Sequence, residues 1–490
     1  RNVALGPLYQ GLRVVRAGVA DHDWVVTSGL QRARPGQKVA PNREMLRLSE
    51  VRTPDGSAAG RMLHQLASSE PGFIRPTLAP GFRNHAQGIK RLLFMRARFP
   101  DDLREPISEA EAAEVMQAAN DYFVAGSFNT LSIISTVGPL VTLPQPKLYY
   151  GVRGPGALLR DARAATRSAG IEPDVFDLDM VRFENVPGFN WGGLAAVGGL
   201  GLWLQSSSLG VICHELGHNL GLLHANFWNT VRPDLPDNPQ NLPFDPDSLV
   251  GLDSILGPGD DIEYGDPTDV MGQGGDNAHF TALHKSLLGW IPATGIAEVT
   301  TTGAYRVMAH DAGVLDAALA QVLRVRKDAE RAFWISARSR FPDNPWLANG
   351  IQLHWNNWHQ AIGSSQLLDT TPGSGHGTQD AAVVLGRTFA DPAAGVFITP
   401  LARGTESIAG RAVPYFDVFV ALGSFPDNRP PELELVASAT QVAVGQPVEF
   451  HASAGDPDGD LVAFSWDLGN GLPGPSQATV GLPRRLRRPL

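Results

Sequence analysis

The sequence predicts an α+β domain, in which one helix carries a cluster of histidines, followed by all-β, sandwich-like domains. Between residues 87 and 298, strand-like alternation is interleaved with the apolar periodicity of helices. From residue 299 onward, short β-rich runs such as AYRVMAHD and YFDVFVALG alternate with turn residues, which is typical of a sandwich. The proline-rich stretch FPDNRPPE at 425–432 indicates a stiff linker before a last β segment.

These changes in residue pattern divide the chain into four segments. Residues 1–86 are an N-terminal β segment or pro-region, 87–298 the α+β domain, 299–428 a β-sandwich-like domain and 429–490 a partial β module. The length of 490 residues and the hydrophobic content of 43% are ordinary for a multidomain globular protein.

Composition excludes several classes of partner. The net charge of −10 and the absence of a long basic run before the tail argue against nucleic acid as the main partner. No apolar run is long enough for a membrane helix, so we do not expect a membrane-spanning protein. The one cysteine, Cys213, excludes an intramolecular disulfide and is most simply a small buried hydrophobe.

The α+β segment has an element order that can be followed residue by residue. A strand covers Leu92 to Phe99, and a helix follows with Ser108 as N-cap and Glu111 completing a capping box. A short strand lies in GPLVTLPQP, and the helix GALLRDARAATRSAG ends at Gly170. VFDLDMVRF alternates as a strand, and the glycine-rich WGGLAAVGGLGLWLQ indicates one extended strand with close backbone approach. After the histidine helix come a polar loop from about 229 to 268 and a last helix in NAHFTALHKSLLGWIP.

The stretch CHELGHNLGLLHA carries the chemistry. His214 and His218 are four residues apart, so a helix places them on one face, one turn apart, where both nitrogens can bind one Zn²⁺. His224 can join them only if the helix stops first, and Gly221 is positioned to end it in a left-handed conformation. Glu215, beside the first histidine, is a candidate general base.

The alternative is a helix with unrelated surface or core histidines. The five fixed residues of the pattern HExxHxxGxxH would co-occur by chance with a probability on the order of 10⁻⁴ in a chain of this size. The apolar residues Val211, Ile212, Leu216 and Leu220 also surround the ligand face as an amphipathic helix requires. The metal site is therefore the favoured interpretation.

These residues resemble the metzincin clan of zinc endopeptidases. Met271, in the turn-rich segment EYGDPTDVMGQG, stands where that clan has the methionine of its Met-turn. Within the clan, HELGHNLGLLHA, YGDPTDVMG and HFTALHKSLLGW are most similar to the gametolysin-like peptidases. Some metzincins have a functional tyrosine two residues after the methionine, but Gln273 occupies that position, so the role has no support here. Tyr264 is close in sequence but is not assigned that role.

The resemblance implies a fold, a function and a set of roles, and the fold is a mixed twisted sheet with an active-site helix. His214, His218 and His224 would bind Zn²⁺, Glu215 would activate a zinc-bound water, and Met271 would support the site. The implied activity is zinc-dependent endopeptidase cleavage of extracellular proteins by a secreted or cell-surface protein, with protein or peptide substrates such as matrix or cell-wall glycoproteins. The alternative is a non-catalytic, zinc-containing adhesion or matrix-binding protein, against which the retained Glu215 argues.

Other features have weaker signals. Residues 192–204 resemble the edge strand with which metzincins hold substrate, although a purely structural strand is equally compatible. His279 and His284 are expected to be structural. A cluster of loop acids leaves a structural Ca²⁺ site open, with solvated acids as the default: Asp245, Asp247, Asp253, Asp260, Asp261 and Asp266.

The last β segment resembles the PKD-type immunoglobulin-like module. ASAGDPDGDLVAFSWDLGNG supplies an acidic loop at 456–460 and Trp466 on the following strand. Leu461 stands where a calcium-binding EF-hand loop needs glycine, so the loop is interpreted as a turn. The module is expected to be incomplete.

Overall fold

A computed structural model describes residues 4–9, 12–17, 86–230, 260–329, 331–341, 344–356, 365–372, 374, 376–423, 429–443, 446–459, 462, 464, 466 and 479–482. The chain divides into two compact units, Arg1–Glu70 and Pro71–Leu490. The described part of the first unit is an antiparallel pair of strands, β1 (Ala4–Tyr9) and β2 (Leu12–Ala17).

The second unit begins with a five-stranded mixed sheet of order β4-β3-β5-β7-β6. Its strands are β3 (Gly88–Arg98), β4 (Leu131–Thr142), β5 (Leu178–Arg182), β6 (Gly193–Ala195) and β7 (Leu202–Leu204). All neighbours are parallel except β6, which runs antiparallel to β7 at the edge of the sheet. The sheet is therefore mixed, as the resemblance implies.

Helices cover both faces of this sheet. They are α1 (Glu109–Gly126), α2 (Lys147–Arg153), α3 (Pro155–Ser168) and α4 (Leu209–Asn219). Leu92 and Phe94 of β3 share one core with α1 and α4, whereas Leu93 and Met95 point into the core that holds α3. Successive strand residues face opposite sides of a sheet, so the continuous apolar run of β3 serves two cores.

The predicted helix ends are confirmed. Ser108 accepts a hydrogen bond from the Glu111 backbone N–H, and the Glu111 carboxylate accepts one from Ser108 N–H, which completes the capping box. At the end of α3, Gly170 adopts φ +95°. The short helix α2 was not predicted.

The prediction of one extended strand over 191–205 is wrong. The segment forms the hairpin of β6 and β7, with a turn in which Gly198 has φ +64° and Gly201 has φ +110°. Only glycine adopts such angles without strain, so the glycines that suggested close backbone approach reverse the chain direction.

Two packed sheets follow, as the β-rich texture predicts. The first sheet has eight strands. Seven of them follow the order β10-β12-β13-β14-β15-β8-β9, and the eighth, β16, pairs with β14. Its strands are β8 (Ala225–Asn229), β9 (Asp260–Ile262), β10 (Ile296–Val299), β12 (Val322–Arg326), β13 (Ala332–Ser336), β14 (Gly350–Asn356), β15 (Ser365–Leu368) and β16 (Val383–Val384).

The second sheet is four-stranded and has the order β11-β19-β18-β17. Its strands are β11 (Gly303–Met308), β17 (Phe389–Asp391), β18 (Val396–Ile408) and β19 (Arg411–Leu422). Phe333 and Trp355 of the first sheet and Ile398 and Val418 of the second belong to one buried cluster, so the two sheets form a sandwich. Two short helices accompany them, α5 (Ala282–Leu287) and α6 (Pro345–Ala348).

The eight-stranded sheet takes strands from both sides of the expected boundary at 298/299. β8 begins one residue after His224 and pairs in parallel with β15. β10 straddles the boundary itself and pairs with β12. The strand that directly follows the third histidine is therefore part of the same sheet as residues 322–368.

The chain closes with a three-stranded antiparallel sheet of β20 (Glu432–Ala437), β21 (Val448–Gly455) and β22 (Thr479–Leu482). At 456–459 the chain makes a turn, with Gly459 at φ +84° and its N–H donating to Asp456 O at 3.1 Å. The structure is thus mixed α/β with a C-terminal β module. Among the described residues, every helix is too short or too polar to cross a bilayer.

Candidate metal centre

The histidine helix α4 ends as the sequence predicts. Its last turn closes with hydrogen bonds from Gly221 N to His218 O (2.8 Å) and from Leu222 N to Gly217 O (3.1 Å), while Gly221 takes φ +102°. This is a Schellman motif, in which the left-handed residue turns the chain away from the helix axis. The turn allows His224 to approach the face that carries His218.

The three histidines converge on one point. Each has one ring nitrogen within 4.8 Å of a ring nitrogen of the other two, and the Nε2 atoms of His218 and His224 are 3.1 Å apart. Two nitrogens bound tetrahedrally to one zinc ion at 2.0–2.1 Å would be separated by about 3.3 Å. The His218 and His224 nitrogens therefore have the spacing of two ligands of one zinc ion.

Each of the three rings has its Nδ1 next to an oxygen acceptor. The acceptors are Val270 O for His214 (2.8 Å), Leu222 O for His218 (2.8 Å) and a Glu263 carboxylate oxygen for His224 (2.6 Å). An oxygen acceptor at Nδ1 selects the tautomer that carries its proton there, which leaves the Nε2 lone pair for a metal.

Burial keeps these imidazoles neutral. It lowers the pKa of His214, and it lowers the pKa of His218 to about 3 and that of His224 to about 4. Two neutral rings protonated on Nδ1 would face each other with unshared Nε2 lone pairs at 3.1 Å, an arrangement that a cation between them would stabilise. The donor set therefore fits Zn²⁺.

Glu215 follows His214 on α4, the helix that carries two of the three histidines. Only 6% of its surface is exposed, and burial raises the pKa of its carboxyl to about 8. The positive charge of a bound metal would oppose that shift. A carboxyl with a pKa near neutrality is suited to accept and return a proton.

The edge strand β6 packs directly against Glu215. A Cβ atom added to Gly193 would lie 2.6 Å from Oε1 and 2.6 Å from Cγ of Glu215, and 2.8 Å from Cγ1 of Val211. Only glycine fits there without displacing the carboxylate. The backbone of the outer strand therefore lies close to the candidate base.

Met271 lies beneath the histidine helix. Its Sδ would be 2.4 Å from a Cβ added to Gly217, and the Met271 side chain is fully buried. Met271 N donates to Asp269 Oδ1 at 2.7 Å, Gly272 N donates to Asp269 O at 3.0 Å, and Met271 O accepts from Ala225 N at 3.0 Å. A tight turn thus supports both α4 and the residue that follows His224.

Two residues at the site, Glu263 and Tyr264, are not predicted from the sequence. Glu263, on Nδ1 of His224, has no signal of its own in the sequence. The centroid of the Tyr264 ring lies 3.8 Å from that of the His224 ring and 5.6 Å from that of the His214 ring, although the sequence assigns Tyr264 no role. Both residues directly follow β9, and they reach His224 because β9 pairs with β8. The two strands are separated in sequence by residues 230–259, so local sequence patterns do not predict their pairing.

The other candidates lie outside the triad. His279 stacks on Tyr122 at 4.7 Å, and His284 Nδ1 lies 2.8 Å from Asp269, so both have structural contacts. Cys213 is buried in the core, where burial raises its thiol pKa well above the usual value. Among the loop acids, Asp266 bonds Thr268 and His354, whereas Asp245, Asp247, Asp253 and the side chains of Asp260 and Asp261 lie outside the described residues.

Comparison with known proteins identifies the last module. The family model of the PKD domain matches residues 432–481. Residues 432–481 are a PKD domain. PKD domains occur in extracellular proteins, and the match covers β20, β21 and all but the last residue of β22. It does not reach the histidines, and no curated protein matches the chain.

Proposed function

We propose that this protein is a secreted or cell-surface zinc endopeptidase of the metzincin type that cleaves peptide bonds in extracellular proteins. The proposal depends on one arrangement of side chains. Three neutral histidines lie close together, and each has its Nδ1 next to an oxygen acceptor, which leaves Nε2 for a metal. The buried carboxyl of Glu215 lies on the same helix as two of them. The PKD domain supports the extracellular setting.

The chain's own residues account for the chemistry. When bound by the three histidines, zinc would lower the pKa of a water and polarise a scissile carbonyl. Glu215 accepts a proton from the attacking water and donates it to the leaving amine. Val270 O, Leu222 O and Glu263 hold the three rings in the tautomer that presents Nε2.

The edge strand favours an extended peptide as substrate. β6 pairs on one side with β7 and is the outermost of the described strands of its sheet, so we expect its other side to offer backbone groups for strand addition. Because Gly193 contacts the Glu215 side chain, a peptide added there would run past the candidate base.

The test compares the zinc-loaded chain with Glu215→Gln and with Glu114→Gln, an exposed glutamate of α1 that serves as the matched control. Zinc content and cleavage of a quenched fluorescent peptide library are measured with and without a chelator. We expect all three proteins to bind one zinc, and only the parent and Glu114→Gln to cleave.

Each other outcome contradicts a defined part of the proposal. Zinc bound without cleavage by the parent would favour the non-catalytic adhesion protein. Undiminished cleavage by Glu215→Gln would eliminate the proposed base. Failure of the parent to bind zinc would contradict the proposed metal centre.

A further inference from the structure

The β-sandwich has a cavity of about 470 Å³ that the proposed peptidase chemistry does not use. Its walls come from the segment after β13, from α6 and from the β18–β19 hairpin. This volume is within the range of small-molecule and peptide-binding pockets.

Part of the wall is apolar. Phe341, Leu347, Pro414 and Phe416 line the cavity. Leu347 and Phe416 are themselves buried, so this surface is fixed by the cores beneath it. An occupant must therefore bring an apolar group as well as any charge.

The rest of the wall contains two arginines without an acidic partner among the described residues. Arg338 is only 4% exposed; its Nε donates to Gln352 Oε1 at 3.2 Å and its Nη2 to Thr268 O. Its buried Nη1 has no hydrogen-bond partner within the described ranges. Because Nη1 is out of contact with solvent, Arg338 contributes positive charge to the cavity wall and not a donor that an occupant could reach.

Arg403 supplies the accessible cation. Its Nη1 donates to Ala348 O at 2.9 Å, which leaves other N–H groups of the guanidinium available. Partial burial lowers its pKa, and no described carboxylate offsets that cost. The cavity thus combines positive charge with apolar surface.

We propose that this cavity binds a carboxylate that carries an apolar group, as at the C-terminal residue of a peptide with an apolar side chain. A guanidinium matches the planar carboxylate with two parallel N–H donors, whereas the apolar wall would gain nothing from an inorganic ion. The site does not depend on zinc or on peptidase activity.

The experiment titrates the full chain with N-acetyl-leucyl-leucine as the free acid and as the amide, by calorimetry. We expect the acid to bind at least about tenfold more tightly than the amide, as loss of a charge-assisted hydrogen bond implies. Arg403→Gln should lose at least the same factor. Arg411→Gln, an exposed arginine of the same hairpin outside the cavity wall, should change binding less than about twofold.

Further arms separate the sources of the carboxylate. Tighter binding of the peptide acid than of 4-methylpentanoic acid would support a peptide C-terminus, and equal binding would support a small carboxylic acid. Equal affinity for acid and amide, an unchanged Arg403→Gln, or equally tight binding of inorganic phosphate would overturn the proposal. These readouts are independent of zinc content and proteolysis, so failure here leaves the proposed function untouched.

Discussion

Replacing Gly221 by valine tests whether the helix ending creates the third ligand. Gly221 has φ +102°, where an L-residue is strained and a β-branched residue especially so, at about 1–3 kcal/mol. Relief of that strain requires the Schellman turn to open. The two hydrogen bonds from Gly221 N and Leu222 N, at 2.8 and 3.1 Å, would then be lost and His224 would move away from His218.

The chain offers a matched control at the end of α3. Gly170 has φ +95°, and the same pair of bonds closes that helix, from Gly170 N to Arg167 O (3.0 Å) and from Ile171 N to Thr166 O (3.2 Å). A Cβ added there meets no atom within 4 Å, so Gly170→Val introduces backbone strain without a clash. It does so away from any candidate ligand.

The assay measures zinc affinity by competition with a chromophoric chelator, and stability by denaturation of the metal-free proteins. We expect both variants to lose unfolding free energy, about 1–3 kcal/mol each. Only Gly221→Val should lose zinc affinity, at least about tenfold, because it misplaces one of three ligands. If folded Gly221→Val bound zinc as tightly as Gly170→Val, His224 would not need the turn, and the geometric basis of a three-histidine site would fail.

Three other predictions concern side chains around the site. Glu263→Gln should weaken zinc binding by about tenfold or more in the chelator assay, because the charged acceptor on His224 is replaced by a neutral one. Gly193→Ala should reduce peptide cleavage while zinc affinity stays within about twofold, because the new Cβ would displace the Glu215 carboxylate. Burial lowers the pKa of Lys285 from 10.5 to about 7. Between pH 7 and pH 10.5, Lys285 is therefore protonated in the unfolded chain and neutral in the folded chain. The unfolding free energy of the parent, measured against Lys285→Met, should therefore rise by about 1.4 kcal/mol per pH unit from pH 7 to about 10.

Each of these three predictions has a control or an outcome that would contradict it. Gly192→Ala places its Cβ at an ordinary 3.6 Å from Ser206 and should cleave as the parent does; equal activity of the Gly193 and Gly192 variants would refute the packing argument. Unchanged zinc affinity in Glu263→Gln would show that its contact with His224 is incidental. A stability difference between parent and Lys285→Met that is flat with pH would mean that the buried amine keeps an ordinary pKa.

Local features of the site were accessible from the sequence. The four-residue spacing of His214 and His218 and the left-handed break at Gly221 are consequences of helix geometry, and both occur in the structure. The capping box of α1 follows in the same way from Ser108 and Glu111. Each of these features depends only on residues that lie within one or two helical turns of one another.

Features that depend on long-range pairing were not accessible. The hairpin at 193–204 was predicted as one strand, because apolar residues with interspersed glycines fit both arrangements until the sheet edge selects one. The expected boundary at 298/299 was drawn from texture, which does not reveal that β8 pairs with β15 more than 130 residues later.

The sequence by itself determined which imidazoles can share a metal, because ligand spacing and helix termination are local properties of the chain. The tertiary structure alone decided what surrounds them. Glu263 and Tyr264 reach His224 through the β8–β9 pairing, and Arg338 and Arg403 meet at one cavity through the packing of separate strands and a helix. Contacts of that kind depend on sheet register and on the packing of distant elements, and no local pattern in the chain encodes them.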